Sequence, residues 1–361
     1  MPIRPPGPKP RFFIGNMPLA SPHPLSIFSA WAREFGDIFY YRAAWLHVYF
    51  LNHPDLIEEV LVRNYKNFLK DRVVRNSRWF FGQGLLTNEG DSWLRQRRLS
   101  APAFHRERVA SYAKIMTDRA VEMLAAWRNG ETRDIHQEMM RLTLGIVVRA
   151  LFNVESDETT ALSMTWTWHL LSQHPEVEQK LHDELDRVLS DRVPQFSDLP
   201  ALPFTERVIK ESMRLYPPAW SLARTVISDF ELRGYRIPAG ANVVMSHWIM
   251  HRHPTYFPDP EKFDPDRWLL DRSQKLPRFA YFPFGGGPRQ CIGSSFAMME
   301  ATLLLATIAQ RFRLRSVPDH PVVLVPSFTL RPKYGLRMTL ESRASVTEST
   351  RTGLQTQAIG H

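Results

Sequence analysis

The sequence predicts a mainly α-helical protein with a smaller β region, an α+β fold class. Three observations carry that expectation. Between Trp93 and Tyr216, apolar residues recur at the three-and-four spacing of amphipathic helices. Aromatic and β-branched runs, the composition of strands, gather near residues 38–51 and 224–248. Glycine and proline stand where these stretches have to end.

Residues 24–35 place Leu25, Ile27, Phe28, Trp31 and Phe35 at helical spacing, with Gly36 positioned as a stop. Residues 38–41 and 45–51 read as a strand pair. Asn52 is expected to cap a helix over residues 54–63, where Pro54 suits an early helical position. Residues 82–90 read as a loop, with Asp91 or Ser92 capping a helix that begins at Trp93. Amphipathic helices follow over residues 104–127, closed by Gly130, and over residues 134–152. A helix running to about Gln173 and another over residues 175–189 lead into a proline-punctuated loop at 194–203. The helix at 204–216 is ended by Pro217-Pro218. Strands are expected at 224–227, 235–237 and 243–248, then an irregular stretch over 254–272. A strongly apolar helix at 296–312 precedes short strands near Arg313, at 322–325 and at 336–340. Residues 341–361 are polar, rich in Ser and Thr, and read as a disordered tail.

The 361 residues are 43% hydrophobic and 23% charged, the balance of an ordinary globular protein with a large core. The single cysteine, Cys291, excludes an internal disulfide framework and fits a reducing compartment. The net charge of +9 comes from 46 Lys+Arg against 37 Asp+Glu. The arginines are dispersed and form no zinc-finger or basic-region pattern, so no nucleic-acid partner is expected. An acidic protein such as an electron donor is compatible with that charge. No stretch approaches the ~18 apolar residues of a spanning helix, and the first 24 residues lack the apolar core of a signal peptide. The expectation is a cytoplasmic chain with no membrane span. Residues 285–288, Gly-Gly-Gly-Pro, lack the Gly-Lys-Ser/Thr continuation of a phosphate loop. His251 and His253 are two apart and share no helical face, which argues against a metal pair.

The chemistry concentrates in residues 281–293, Tyr-Phe-Pro-Phe-Gly-Gly-Gly-Pro-Arg-Gln-Cys-Ile-Gly. Three glycines let a backbone approach something closely. A cysteine before a helix start, two residues from Arg289, has its thiolate favoured by charge and dipole. Taken alone, a solitary cysteine is more often a buried structural residue. The spacing Phe284-x-x-Gly287-x-Arg289-x-Cys291-x-Gly293 is sharper, and it resembles the haem-ligand loop of the cytochrome P450 family, soluble bacterial type.

That resemblance runs in order over residues 5–340 and implies a cofactor, haem b, with the Cys291 thiolate as the ligand of its iron. Trp93 and Arg97, four apart on one helical face, are similar to the family's Trp-x-x-x-Arg motif, whose side chains reach a haem propionate. Arg224, after Leu-Tyr-Pro-Pro at 215–218, and Arg289 would complete the propionate contacts by charge-assisted hydrogen bonds. Glu211 and Arg214 resemble the family's Glu-x-x-Arg pair, which Arg267 of Pro265-Asp-Arg-Trp268 would complete as a buried triad. Glu158-Thr159-Thr160 resembles the end of the distal Ala-Gly-x-acid-Thr-Thr motif, which gives Glu158 and Thr159 a proton-handling, catalytic role.

The departure lies immediately upstream. Glu155-Ser-Asp157 stands where the family has Ala-Gly-x. Family catalytic domains run to ~400–450 residues, so about a hundred residues are missing at an internal deletion near residues 154–158. The missing part would include the helices that roof the distal pocket, and Ser156 or Asp157 would cap a new helix start. The resemblance therefore implies a single haem-binding domain over residues 1–340 and a monooxygenase acting on an apolar organic substrate. Its electrons would come from NAD(P)H through a separate ferredoxin, flavodoxin-type or reductase partner. The competing reading is a truncated, non-catalytic haem-binding remnant.

Overall fold

The computed structural model describes residues 4–10, 15–16, 18–151 and 157–343. They divide into two units. The first is Met1–Pro102, Ala219–Lys262 and Gln274–Ile292; the second is Ala103–Pro218, Phe263–Ser273 and Gly293–His361. The mixed α and β content is that of the predicted α+β class.

The first unit is built on a five-stranded sheet in the order Ile38–Ala43, Leu46–Leu51, Asn242–Met245, Leu222–Val226, Phe68–Lys70. All neighbours are antiparallel except Leu46–Leu51 with Asn242–Met245. Phe39 and Phe50 are cross-strand partners whose rings stack at 4.7 Å, and Phe28 of the Pro24–Phe35 helix stacks on Phe50 at 5.7 Å. Such aromatic cross-strand pairs fix register, because a slip of one strand by one residue would turn its ring to the other face and part the pair. Gly36 ends the helix as predicted, at a φ of 80° that a side chain would resist.

The second unit is helical, with small sheets. The Ser294–Ala309 helix is buried over most of its length. Residues 160–171 of the Asp157–Gln173 helix are buried on every side, polar Thr160, Ser163, Thr165, Thr167 and His169 included, so this helix is enclosed all round instead of striped. Trp166 donates its indole N–H to the Leu330 carbonyl at 2.9 Å and stacks on Tyr216 at 4.9 Å. Arg337–Ser342 is the central strand between Thr132–Asp134 and Phe312–Ser316.

Several boundaries differ from expectation for local reasons. His53, not Asn52, caps the helix Pro54–Glu58, its Nδ1 accepting from the Asp55 N–H, and the chain continues as a π-helical turn over Glu59–Arg63. The strand expected at 243–248 stops at Met245, because Ser246 caps a short helix, His247–Met250. Phe312 opens a strand instead of ending the preceding helix. Phe68–Lys70, Thr132–Asp134, Phe230–Leu232 and Leu330–Pro332 are three-residue strands that exist through their partners alone. Glu341 and Ser342, expected in the tail, pair with Arg313 and Phe312. The tail from residue 344 and the junction at residues 152–156 lie outside the described residues.

A candidate cofactor site built on Cys291

The loop that carries Cys291 is closed by its own backbone. The Cys291 N–H donates to the Phe284 carbonyl at 3.0 Å, and the Gln290 N–H donates to Gly287 at 3.1 Å. Upstream, the Phe282 N–H donates to Nε2 of the buried His251 at 3.0 Å, which commits that ring to holding the loop. Two of the glycines are there for packing. A Cβ on Gly287, at φ +67°, would lie 1.9 Å from the Leu61 carbonyl oxygen, and one on Gly286 would lie 2.3 Å from the Phe279 ring. The loop thus presses on the π-helical turn and on Phe279, and the close approach expected from its glycines is made to protein backbone. Cys291 itself is exposed, not a buried structural thiol. The helix after it begins at Ser294, with Gly293 as its N-cap residue.

Four cations surround this loop. Arg97 donates from Nη1 to the Gln290 carbonyl at 2.8 Å, pinning the residue before Cys291. Trp93, one helical turn away, has the Arg97 guanidinium 5.7 Å from its ring centroid, that of Arg289 at 5.1 Å and the Lys70 ammonium at 6.0 Å. Arg224 donates from Nη1 to the Ala223 carbonyl at 2.9 Å. Burial, then the charge of Arg289, pushes its pKa down to about 10. Burial likewise pushes Lys70 down to about 8, against the pull of Glu89. Its ammonium donates to the carbonyls of Leu85 and Asn88 at 2.6 and 2.7 Å.

Glu89 is the carboxylate among them. It ion-pairs with Arg289, and its Oε1 accepts from the Lys70 backbone N–H at 2.5 Å. Burial opposes its ionisation, but those hydrogen bonds and the two positive charges outweigh it and hold its carboxyl below the usual range. This explains a boundary error: the helix starts at Gly90, with Glu89 in the N-cap position, instead of being capped by Asp91 or Ser92. The Glu89 side chain makes no capping bond because Arg289 and Lys70 hold it. Lys70 and Glu89 were missed in the sequence. A buried lysine on a three-residue strand has no local signature.

Trp93, Arg97, Arg224, Arg289 and Cys291 all lie in the first unit. In the second, Glu211 is fully buried and accepts from Arg214 Nε and Nη2, both at 2.9 Å, and from Arg267 Nε at 3.2 Å. The Asp264 N–H at 3.1 Å and the Trp268 indole at 3.0 Å add to it. Glu158, also in the second unit, is clamped by Arg331, whose Nη2 donates to Oε2 at 2.7 Å, and accepts from the Thr329 hydroxyl at 3.0 Å. Thr159 is exposed and Thr160 is buried.

The family model described as cytochrome P450 matches residues 5–157 and again residues 152–338. The chain belongs to the cytochrome P450 family. Its two matched segments meet at the junction where the sequence departs from the family pattern. Among its P450 relatives, cyclooctatin synthase of Streptomyces melanosporofaciens is 32% identical over 424 residues, covering 88% of this chain and 92% of that protein. Cyclooctat-9-en-7-ol 5-monooxygenase of the same organism is 30% identical over 384 residues, covering 78% and 83%. Pentalenene oxygenase of Streptomyces avermitilis is 45% identical over 186 residues, covering 52% of this chain and 41% of that protein. Like its family, this P450 is an oxidoreductase that acts with incorporation of molecular oxygen.

The residues present fit the family's haem. Arg289 Nη1 is buried with no hydrogen-bond partner among the described residues, and of the four cations only Arg289 has an ion pair among those residues, with Glu89. A group bearing two carboxylates supplies the acceptors this cluster lacks. Among the described residues no helix is long and apolar enough to cross a membrane.

Proposed function

We propose that this chain is a haem-thiolate monooxygenase for a small, apolar, terpene-like substrate, with residues 1–340 acting as one functional domain. The convergence of Lys70, Arg97, Arg224 and Arg289 around a loop that leaves Cys291 exposed carries the reading. When bound, haem b supplies the activation of dioxygen and the insertion of one of its atoms. Cys291 serves as the iron ligand, and Arg97, Arg224 and Arg289, with Trp93, hold the propionates. Phe284 accepts the Cys291 N–H through its carbonyl, Gly287 admits the loop against Leu61, and Gly293 leads into the helix that follows. Glu211, Arg214 and Arg267 are architectural: a buried charge network this well bonded specifies geometry more than it adds stability. The printed names of the relatives, an alkenol monooxygenase and an oxygenase of an alkene, support an apolar substrate. NAD(P)H-derived electrons arrive through a separate ferredoxin, flavodoxin-type or reductase partner, for which the charge of +9 favours an acidic surface.

One observation favours a second reading, that of a haem-binding remnant without turnover. Glu158, the acid placed to handle protons in the family pattern, is engaged by Arg331 and Thr329, and Thr159 is exposed. An alignment of 424 positions uses 88% of a 361-residue chain, so on the order of a hundred positions of that relative have no counterpart here. In both readings we place the loss near residues 154–158 and assign it the pocket roof.

The ferrous–carbon monoxide spectrum and NADPH-driven product formation with surrogate reductases separate the two. A thiolate-type red-shifted Soret band with turnover supports the enzyme. The band without turnover leaves the remnant. No band after haem reconstitution overturns both.

A further inference from the structure

Glu89 is an acid in an N-cap position whose side chain makes no capping bond, being given instead to the cluster around Cys291. Its carboxylate pairs with Arg289 and accepts the Lys70 backbone N–H at 2.5 Å. The Glu89 and Arg289 side chains are only 18% and 14% exposed, so salt screens the pair weakly. Asp71, the buried acid next to Lys70, is spent differently: its Oδ1 accepts from the N–H groups of Val73 and Val74 at 2.8 and 3.2 Å. Arg289 divides its donors. Nη2 pairs with Glu89, whereas Nη1 is buried and without a partner among the described residues. A guanidinium is a planar fork that can serve two acceptors at once.

We propose that Glu89 is a positioning residue that shares Arg289 with the haem propionates, and that its charge limits haem affinity and lowers the reduction potential of the iron. This rests on the haem-thiolate assignment. A carboxylate beside the cations that hold two further carboxylates repels them, so haem is held less tightly than those cations alone would hold it. The same charge acts on the iron. Reduction adds one electron, supplied by the redox partner, and takes ferric iron to ferrous with one positive charge fewer. A nearby anion favours the more positive ferric form and makes that electron harder to accept. A residue that merely braced the loop would act on haem retention in the opposite direction, since its loss would loosen Arg289.

The haem-loaded, full-length protein is compared with its Glu89→Gln and Glu89→Asp variants. Gln keeps the side-chain size and an acceptor for the Lys70 N–H but removes the charge, whereas Asp keeps the charge. Redox titration with dithionite should place the ferric–ferrous potential of Glu89→Gln higher, by about three-fold in that equilibrium, or ~28 mV at about 59 mV per tenfold. Transfer of haem to an excess of a haem-free globin should be slower from Glu89→Gln by about five-fold. Glu89→Asp should keep the wild-type potential. Faster haem loss from Glu89→Gln, an unchanged potential in that variant, or the same upward shift in Glu89→Asp overturns the proposal. A wild-type chain with no thiolate-type ferrous–carbon monoxide band overturns the haem assignment itself, and this inference with it.

Discussion

Lys70 and Arg224 stand directly opposite one another on antiparallel strands, each only 7% exposed. Opposed residues of such a pair share one face of the sheet, so two cations are buried side by side, an arrangement that costs stability without an anion. Glu89 relieves part of that cost through Lys70 and Arg289. The remainder is available to a dianionic ligand.

Lys70 gives this arrangement a pH signature in the cofactor-free protein. Its folded pKa of about 8 lies below the ordinary value of 10.5. Between those values the unfolded chain holds a proton that the folded chain has released, so stability should rise with pH there, by at most ~1.4 kcal/mol per pH unit. Lys70→Met should remove that slope, whatever it does to stability overall. Urea unfolding at a series of pH values checks it, and an unchanged slope in the variant would refute the assignment.

Glu211→Gln should be severe. It leaves Arg214 fully buried with its charge partner gone, and breaking a buried pair by removing one member costs about 3–5 kcal/mol. Denaturant unfolding measures it. A loss below about 1 kcal/mol would mean that Arg214 finds another acceptor or reaches water.

Gly287→Ala tests the loop without touching a charge. The new methyl meets the Leu61 carbonyl 1.9 Å away at a left-handed φ, so the loop must shift and Cys291 with it. The left-handed conformation alone costs about 1–2 kcal/mol. The expected result is loss of the thiolate-type ferrous–carbon monoxide band. Wild-type haem occupancy and spectrum in this variant would contradict the close contact.

Acid should destabilise the protein from about pH 6.5 downward. Burial pushes His247 and His182 down to about 3 and His169 to about 4, with nearby arginines adding to the effect at His182. Below 6.5 the unfolded chain takes up protons that these folded sites refuse, so stability falls as pH falls. Among the described residues neither buried ring nitrogen of His247 has a partner of good hydrogen-bond geometry, and the Phe282 backbone offsets its burial only in part, so His247→Leu should cost little at neutral pH. It should also flatten the acid limb by up to ~1.4 kcal/mol per pH unit. An unchanged limb would exclude His247 as a contributor.

Much of this was legible in the sequence because it rests on local spacing. The Phe284-to-Gly293 pattern, the Trp93–Arg97 pair and the Glu211–Arg214 pair are each short enough to read directly, and helices with a clear apolar stripe kept their limits to within a few residues. What was not legible depends on partners far along the chain. Phe68–Lys70 becomes a strand only against Leu222–Val226, and Glu89 leaves its capping role only because Arg289 reaches it. The role of Glu158 was inferred from its motif, and only the fold brings Arg331 and Thr329 to it.

The hydrogen bond from Arg97 to Gln290 joins residues 193 apart, and the Lys70–Arg224 register also joins distant segments. During synthesis the register cannot form until Arg224 has left the ribosome, nor the hydrogen bond until Gln290 has, because such closures await their distant halves. Cofactor loading is therefore a late event. A ligand that binds only after these closures shifts the folding equilibrium toward the finished chain by mass action. Cellular haem supply would then set how much of this protein accumulates as well as how much is loaded.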